Sequence, residues 1–179
     1  MRKQQGFTLI EMLIVVVLLA VTVGMTSDIL MSLVRSNTKT QVLNEIEQQA
    51  NFVSLKLEKE LRDAIDADVK DSGSTLEFTR RDGISVTYHF RESGGVGIIE
   101  RVVDELNPPG NPYVPITSSI SPGGVNVSCL DGNSCFEILG TNPQVVKINL
   151  LFEQAQVGAG PTYKGSAKIE SSIVIRSTY

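Results

Sequence analysis

One run of about twenty apolar residues, broken by a single carboxylate, constrains this chain more than any other feature. The chain reads MRKQQG and then FTLIEMLIVVVLLAVTVGM. Fifteen of the nineteen residues from Phe7 to Met25 are apolar, and at roughly 1.5 Å rise per residue they reach nearly across the ~30 Å hydrocarbon core of a bilayer. Glu11 is the lone charge within the run. A charged side chain in hydrocarbon is costly, rare and tied to function, so Glu11 requires a partner or a local role.

The flanks decide what kind of segment this is. A secretory signal peptide has a shorter apolar core and a small-x-small cleavage site, and Thr22-Val-Gly24 is a poor substitute for one. No Cys follows the run, which removes a lipoprotein reading. Arg2 and Lys3 precede the run and Asp28 follows it, so the positive-inside bias keeps the leading end in the cytoplasm and exports the rest. Thr8-Leu-Ile-Glu11 also matches a capping box, in which the acid turns back to the first N–H groups of its own helix. Two roles for Glu11 therefore stand side by side, a local cap and an intermolecular partner.

Gly6 followed by Phe7-Thr8-Leu9-Ile10-Glu11 and a long apolar helix resembles the class III signal of type IV prepilins and type II secretion pseudopilins. The resemblance implies a membrane-embedded prepilin peptidase that cuts between Gly6 and Phe7 and methylates the new amine on Phe7. It also implies that Glu11 pairs with the Phe7 amine of a neighbouring subunit during assembly. The two roles are compatible if Glu11 changes partner at that step.

Beyond the membrane run the helical pattern continues. Val42, Ile46, Ala50, Val53, Leu57, Leu61, Ala64 and Ile65 recur at steps of three and four, while Glu45, Glu47, Lys56, Glu58, Lys59, Arg62 and Asp63 occupy the opposite face. No Pro occurs from Phe7 to Asn107, and Asp71-Ser-Gly73-Ser reads as a stop. The pattern predicts one helix from about Thr8 to Ala67, roughly 90 Å long. Gly24 is its one interior glycine near the membrane exit, either merely tolerated or packed closely on another helix, in preference to a local soft point that lets the helix stretch. The drift of the apolar steps away from a heptad favours packing on a sheet over a free coiled coil.

The sheet comes next in the chain. Thr75–Thr79, the turn Arg80-Arg-Asp-Gly83 and Ile84–Arg91 predict a hairpin, with Ile84, Val86, Tyr88 and Phe90 on one face of the second strand. Further strands are expected at Val96–Val103, Phe136–Leu139, Val145–Glu153 and Lys168–Ser177, while five prolines argue against regular structure from Asp104 to Ser128. The fold class is α+β and pilin-like: a long helix, half transmembrane, packed by its C-terminal half on an antiparallel sheet. The expected organisation is a leader (1–6), a transmembrane half-helix (7–27), an exported amphipathic half-helix (28–71) and a β-rich head (72–179).

Cys129 and Cys135 are the only cysteines and lie in CLDGNSC. One distant His89 does not complete a zinc site with them, so a disulfide closing a short turn is preferred to a metal pair. Such a bridge would contribute about 2 kcal/mol and imply an oxidising compartment. Asp131-Gly-Asn133 lacks the further acids of a calcium loop and reads as a turn. His89 falls on the polar face of its strand and reads as a surface residue. No phosphate loop, nucleophile–base set or metal-spaced cluster is present, so neither an enzyme nor a cofactor is expected. Net charge is −4, and it becomes −6 once Arg2 and Lys3 are removed, which argues against nucleic acid as the main partner.

LEFTRRDGISVTYHFRESGGVGIIERVV is similar to the part of J-type minor pseudopilins and related minor pilins where a strand pair ends in an apolar-Glu-Arg step, here Ile99-Glu100-Arg101. A major pilin often closes a longer loop by a disulfide near its C-terminus, so a minor subunit is preferred. The expected function is a structural subunit of a pilus or pseudopilus, held first in the bacterial inner membrane. Its expected partners are the prepilin peptidase, other pilins through the N-terminal helix, and the inner-membrane assembly platform. The alternative is a membrane-anchored binding module or adhesin whose proline-rich loop and Cys turn hold DNA or a surface polymer. Which machine is served, secretion, motility, adhesion or DNA uptake, is not readable from these residues.

Overall fold

The computed structural model describes residues 8–104, 113–118, 124–130, 132, 134–155 and 165–175. It divides into two compact units, Met1–Thr40 and Gln41–Tyr179. Helix α1 (Leu9–Arg62, 54 residues) supplies the described part of the first unit beyond Thr8 and the opening of the second. In the first unit every described residue is exposed, including Leu13, Val16, Leu19, Met25, Leu30 and Leu33. In the second, the sequence stripe does what its spacing predicts, because Ile46, Ala50, Val53, Leu57 and Leu61 are all buried.

The helix stops earlier than expected. It ends at Arg62, and Ala64–Lys70 forms strand β1, so the apolar stripe extrapolated through Ala64 and Ile65 overran the helix. The reason lies in the local alternation. Asp66, Asp68 and Lys70 are exposed while Ala67 is buried and Val69 half-buried, a period-two pattern that suits an edge strand. The register shifts between Ala64 and Asp66, and this irregularity takes up Ile65. Asp71-Ser-Gly73, read as a helix stop, is instead the tight turn of a hairpin, with Gly73 at φ +93°.

Two antiparallel sheets complete the head. The first runs in chain order through β1, β2 (Thr75–Arg80), β3 (Ser85–Ser93), β4 (Val96–Asp104) and the two-residue β5 (Val114–Pro115). The second is centred on β8 (Gln144–Gln154), which pairs with β6 (Val125–Cys129), β7 (Phe136–Leu139) and β9 (Ser166–Ile175). Every strand predicted from alternation is present to within two residues. The expectation of irregular chain from Asp104 to Ser128 fails at two places among its described residues, with 105–112 and 119–123 lying outside them. Val114–Pro115 adds to β4, and Val125-Asn-Val-Ser-Cys129 is a strand with Val125 and Val127 buried.

One core joins the helix to both sheets. It contains Val53, Leu57 and Leu61 from α1, Leu76, Phe78, Val86, Tyr88 and Ile99 from the first sheet, and Val127, Phe136, Ile148, Leu150 and Phe152 from the second. Two devices fix the sheets to each other. The Gln144 carboxamide accepts from Ala67 N–H at 3.1 Å and donates to Ala67 C=O at 3.3 Å, so a side chain pairs the free edge of β1. At Gly97 the two sheets touch: its N–H donates to Asn126 Oδ1 at 2.7 Å, and a Cβ there would fall on the Val127 carbonyl oxygen and the Phe90 ring. Because the first obstacle is backbone, Gly97→Ala should destabilise the head by about 2 kcal/mol. A thermal melt of the detergent-solubilised chain should record a lower midpoint, and an unchanged one would show that β4 and β6 can separate without cost.

Candidate functional site

Helix α1 opens with a complete capping box. Thr8 N–H and Thr8 Oγ1 both donate to Glu11 Oε2, at 3.0 and 2.9 Å, and Glu11 N–H donates weakly to Thr8 Oγ1 at 3.4 Å. The local role read from Thr8-Leu-Ile-Glu11 is therefore realised. It uses one carboxylate oxygen. Oε1 makes no bond among the described residues, so the cap leaves half of the carboxylate for another donor. Gly6 and Phe7 lie outside the described residues, and the expected cleavage and methylation positions have no geometry here.

The apolar surface around Glu11 is unbroken by burial. Among the described residues α1 is the one helix long and apolar enough to cross a bilayer by length and composition. Hydroxyls within it are locally satisfied: Thr22, Thr26 and Ser27 donate to the carbonyls of Leu19, Thr22 and Val23. That back-bonding lets polar side chains sit in an apolar helix without an unpaired donor.

In the head, the Ile99-Glu100-Arg101 step resolves into three different jobs. Ile99 is fully buried beneath α1. Arg101 donates through Nε and Nη2 to Glu60 of α1 at 3.1 and 2.8 Å, a two-pronged pair, and Tyr88 Oη donates to Glu60 Oε2 at 2.8 Å. Tyr88 and Arg101 are cross-strand partners, so two strands close on one carboxylate. Burial pushes the Tyr88 phenol above its ordinary range, and the hydrogen bond to Glu60 adds to that shift. Glu100 faces the other side of the sheet, where it is buried and accepts from Arg91 at 2.6 Å. The clamp at Glu60 was not expected from the sequence. Its trace is a carboxylate at the border of an apolar stripe, opposite an Arg and a Tyr on neighbouring strands.

Cys129 and Cys135 are brought together as a disulfide. Cys135 also anchors the turn, since its N–H donates to Gly73 C=O and its C=O accepts from Asn149 N–H. Asp131 and Asn133, weighed as a calcium turn, lie outside the described residues. His89 sits on the face away from α1, as expected, but is half-buried. Its Nδ1 is 2.8 Å from Thr75 Oγ1, which also donates to Asp71 Oδ2, and its ring lies 5.6 Å from that of Tyr113.

Residues 1–27 match the family model described as the prokaryotic N-terminal methylation motif. That match supports the type IV pilin and pseudopilin family, and the class III signal with an apolar helix fits anchoring in the inner membrane. The helix-on-sheet arrangement of the head is of the pilin-like α+β kind. No curated protein and no solved structure matched the chain.

Proposed function

We propose that this chain is a structural subunit, a minor one, of a type IV pilus or type II secretion pseudopilus. In this reading prepilin peptidase cuts between Gly6 and Phe7, the Phe7 amine is methylated, and Glu11 draws the subunit from the bilayer into the fibre. The observation that carries it is the methylation-motif match over residues 1–27, in which a small residue precedes Phe7 and the helix cap holds Glu11 by one oxygen only. Cutting creates a cation just ahead of Thr8, and Oε1 of a neighbouring Glu11, which the cap does not use, is its natural partner where the dielectric is low. Residues 7–27 then lie in the inner membrane, 28–62 continue the helix outside it, and the head is exported. The disulfide supports an oxidising destination. The minor, J-like assignment is supported by the Ile99-Glu100-Arg101 step and by a disulfide that spans a sequence separation of only 6. Other pilins and the inner-membrane assembly platform are the implied partners.

Intact-mass analysis of protein taken from a host with an active prepilin peptidase tests the reading. The expected chain begins at methylated Phe7 and becomes six residues longer in a peptidase-deficient host. An unmodified start at Met1 in the competent host would overturn it.

A further inference from the structure

Strand β9 ends the second sheet and is its least defended part. It pairs with β8 over ten residues, from Glu153↔Ser166 to Gln144↔Ile175, in an unbroken register. Its far edge has no strand partner among the described residues. The alternation of the ladder says which groups point there. Asn149 directs its N–H to Cys135 and its C=O to Leu130, both away from β9. The pair Asn149↔Glu170 is therefore one of the non-hydrogen-bonded pairs, and Lys168, Glu170, Ser172 and Val174 turn their N–H and C=O groups outward.

Natural sheets protect such an edge with charge, proline, bulges or brevity. The first half of β9 has that protection, because Lys168 and Glu170 form an ion pair at 3.0 Å. The second half, Ser171-Ser-Ile-Val-Ile175, carries no charge, no proline and no bulge. This half opens on a cleft of about 430 Å³ walled by Glu58 and Arg62 of α1, Arg81 of the β2–β3 turn, and Ser171–Val174. Val174 is half-exposed beside it. Arg81 has no carboxylate partner among the described residues, while Arg62 is paired only with the exposed Glu58. The cleft therefore carries net positive charge on a protein whose overall charge is negative.

We infer that the Ser171–Ile175 edge of β9 docks an extended, acid-bearing segment of a partner protein, which adds as a strand in the cleft beside α1. Main-chain pairing to Ser172 and Val174 would supply affinity, and carboxylates reaching Arg81 and Arg62 would supply selectivity. A second copy of this chain pairing edge to edge is disfavoured by the same charges, since a two-fold contact there would bring Arg81 and Arg62 of both copies together. The inference does not use Gly6, Phe7 or Glu11, so its failure would leave the processing reading untouched.

The test uses the full chain in detergent and an acetylated hexapeptide of alternating valine and glutamate, with a lysine-for-glutamate peptide as its counterpart. Saturating acidic peptide should slow amide hydrogen exchange at Ser172 and Val174 by about tenfold, and the lysine peptide should not. Val174→Pro removes an outward N–H, which proline tolerates on an edge strand, and should weaken peptide binding by about tenfold with the β8 ladder intact. Arg81→Glu, in an exposed turn, should reverse the preference between the two peptides. Binding unchanged in Val174→Pro, or an unreversed preference in Arg81→Glu, would overturn the inference. So would protection of the Ser172 and Val174 amides before peptide is added: if independent of protein concentration it would mean the chain covers its own edge, and if dependent on it, that a second copy does.

Discussion

Glu11→Gln should be cut and inserted like the parent chain yet fail to enter fibres. The substitution is chosen because the cap and the proposed intermolecular pair ask for different things from one side chain. The cap needs an acceptor oxygen for Thr8 N–H and Thr8 Oγ1–H, and a glutamine oxygen supplies it, as the capping box itself allows. The pair needs a negative charge to meet a cationic amine in a medium where an unmatched cation is heavily penalised. If assembly rests on charge, Glu11→Gln and Glu11→Ala should fail alike, each lowering the fibre-incorporated fraction by about tenfold or more. Peptidase-dependent shortening should be kept in both. If the cap is the whole role, Glu11→Gln should assemble as the parent does and only Glu11→Ala should be impaired. Quantifying sheared fibres against membrane-retained, processed subunit separates these outcomes, and normal assembly of Glu11→Gln would remove the pairing role.

Much of the fold could be read before any coordinates, and the misses share a cause. The helix and the strands β2, β3, β4, β7, β8 and β9 announce themselves through long runs of one period, such as Ile46 to Leu61 at 3.6 or Ile84 to Phe90 at 2. At Ala64 the helical steps of three and four still land on a buried residue, whereas the alternation of β1 becomes regular only past the register shift at Ile65. Small side chains such as Ala64 and Ala67 fit either element, so pairing with β2 decides between them. Val125-Asn-Val-Ser-Cys129 was legible by alternation, but the prolines just before it drew the whole stretch into one loop. At the candidate site, Thr8–Glu11 and the Cys129–Cys135 pair were visible because both partners lie within a few residues. The Glu60 clamp and the Gln144 bridge were not, since their partners are 41 and 77 residues away and only the fold brings them together.

Glu60→Ala should therefore be the most destabilising single change on the polar side of the head, at about 3 kcal/mol. The carboxylate is one-sixth exposed and Arg101 about one-fifth, so neither member is rescued by full hydration when the other is removed. Losing Glu60 strands a guanidinium and a phenol together, whereas Tyr88→Phe removes one donor and should cost only about 1 kcal/mol. A cycle of Glu60→Ala, Arg101→Ala and the double variant should return a strongly favourable coupling, because the double variant no longer buries an unmatched charge. Glu58→Ala, which breaks an exposed i,i+4 pair with Arg62, is the internal reference and should change stability by about 0.5 kcal/mol or less. The phenol adds a pH signature of fixed sign. Its folded pKa is raised above the ordinary 10.0, so the stability it lends is complete below pH 10 and is lost as pH rises above that, when the unfolded chain ionises first. Tyr88→Phe should flatten that alkaline limb while leaving the neutral-pH effect of Glu60→Ala largely in place. If urea unfolding of the solubilised chain places Glu60→Ala no lower than Glu58→Ala, α1 is held on the sheet by its apolar stripe alone. The Arg at the end of the Ile99-Glu100-Arg101 step then has no structural reason to be there, and the likeness to minor pseudopilins at that step loses its physical basis.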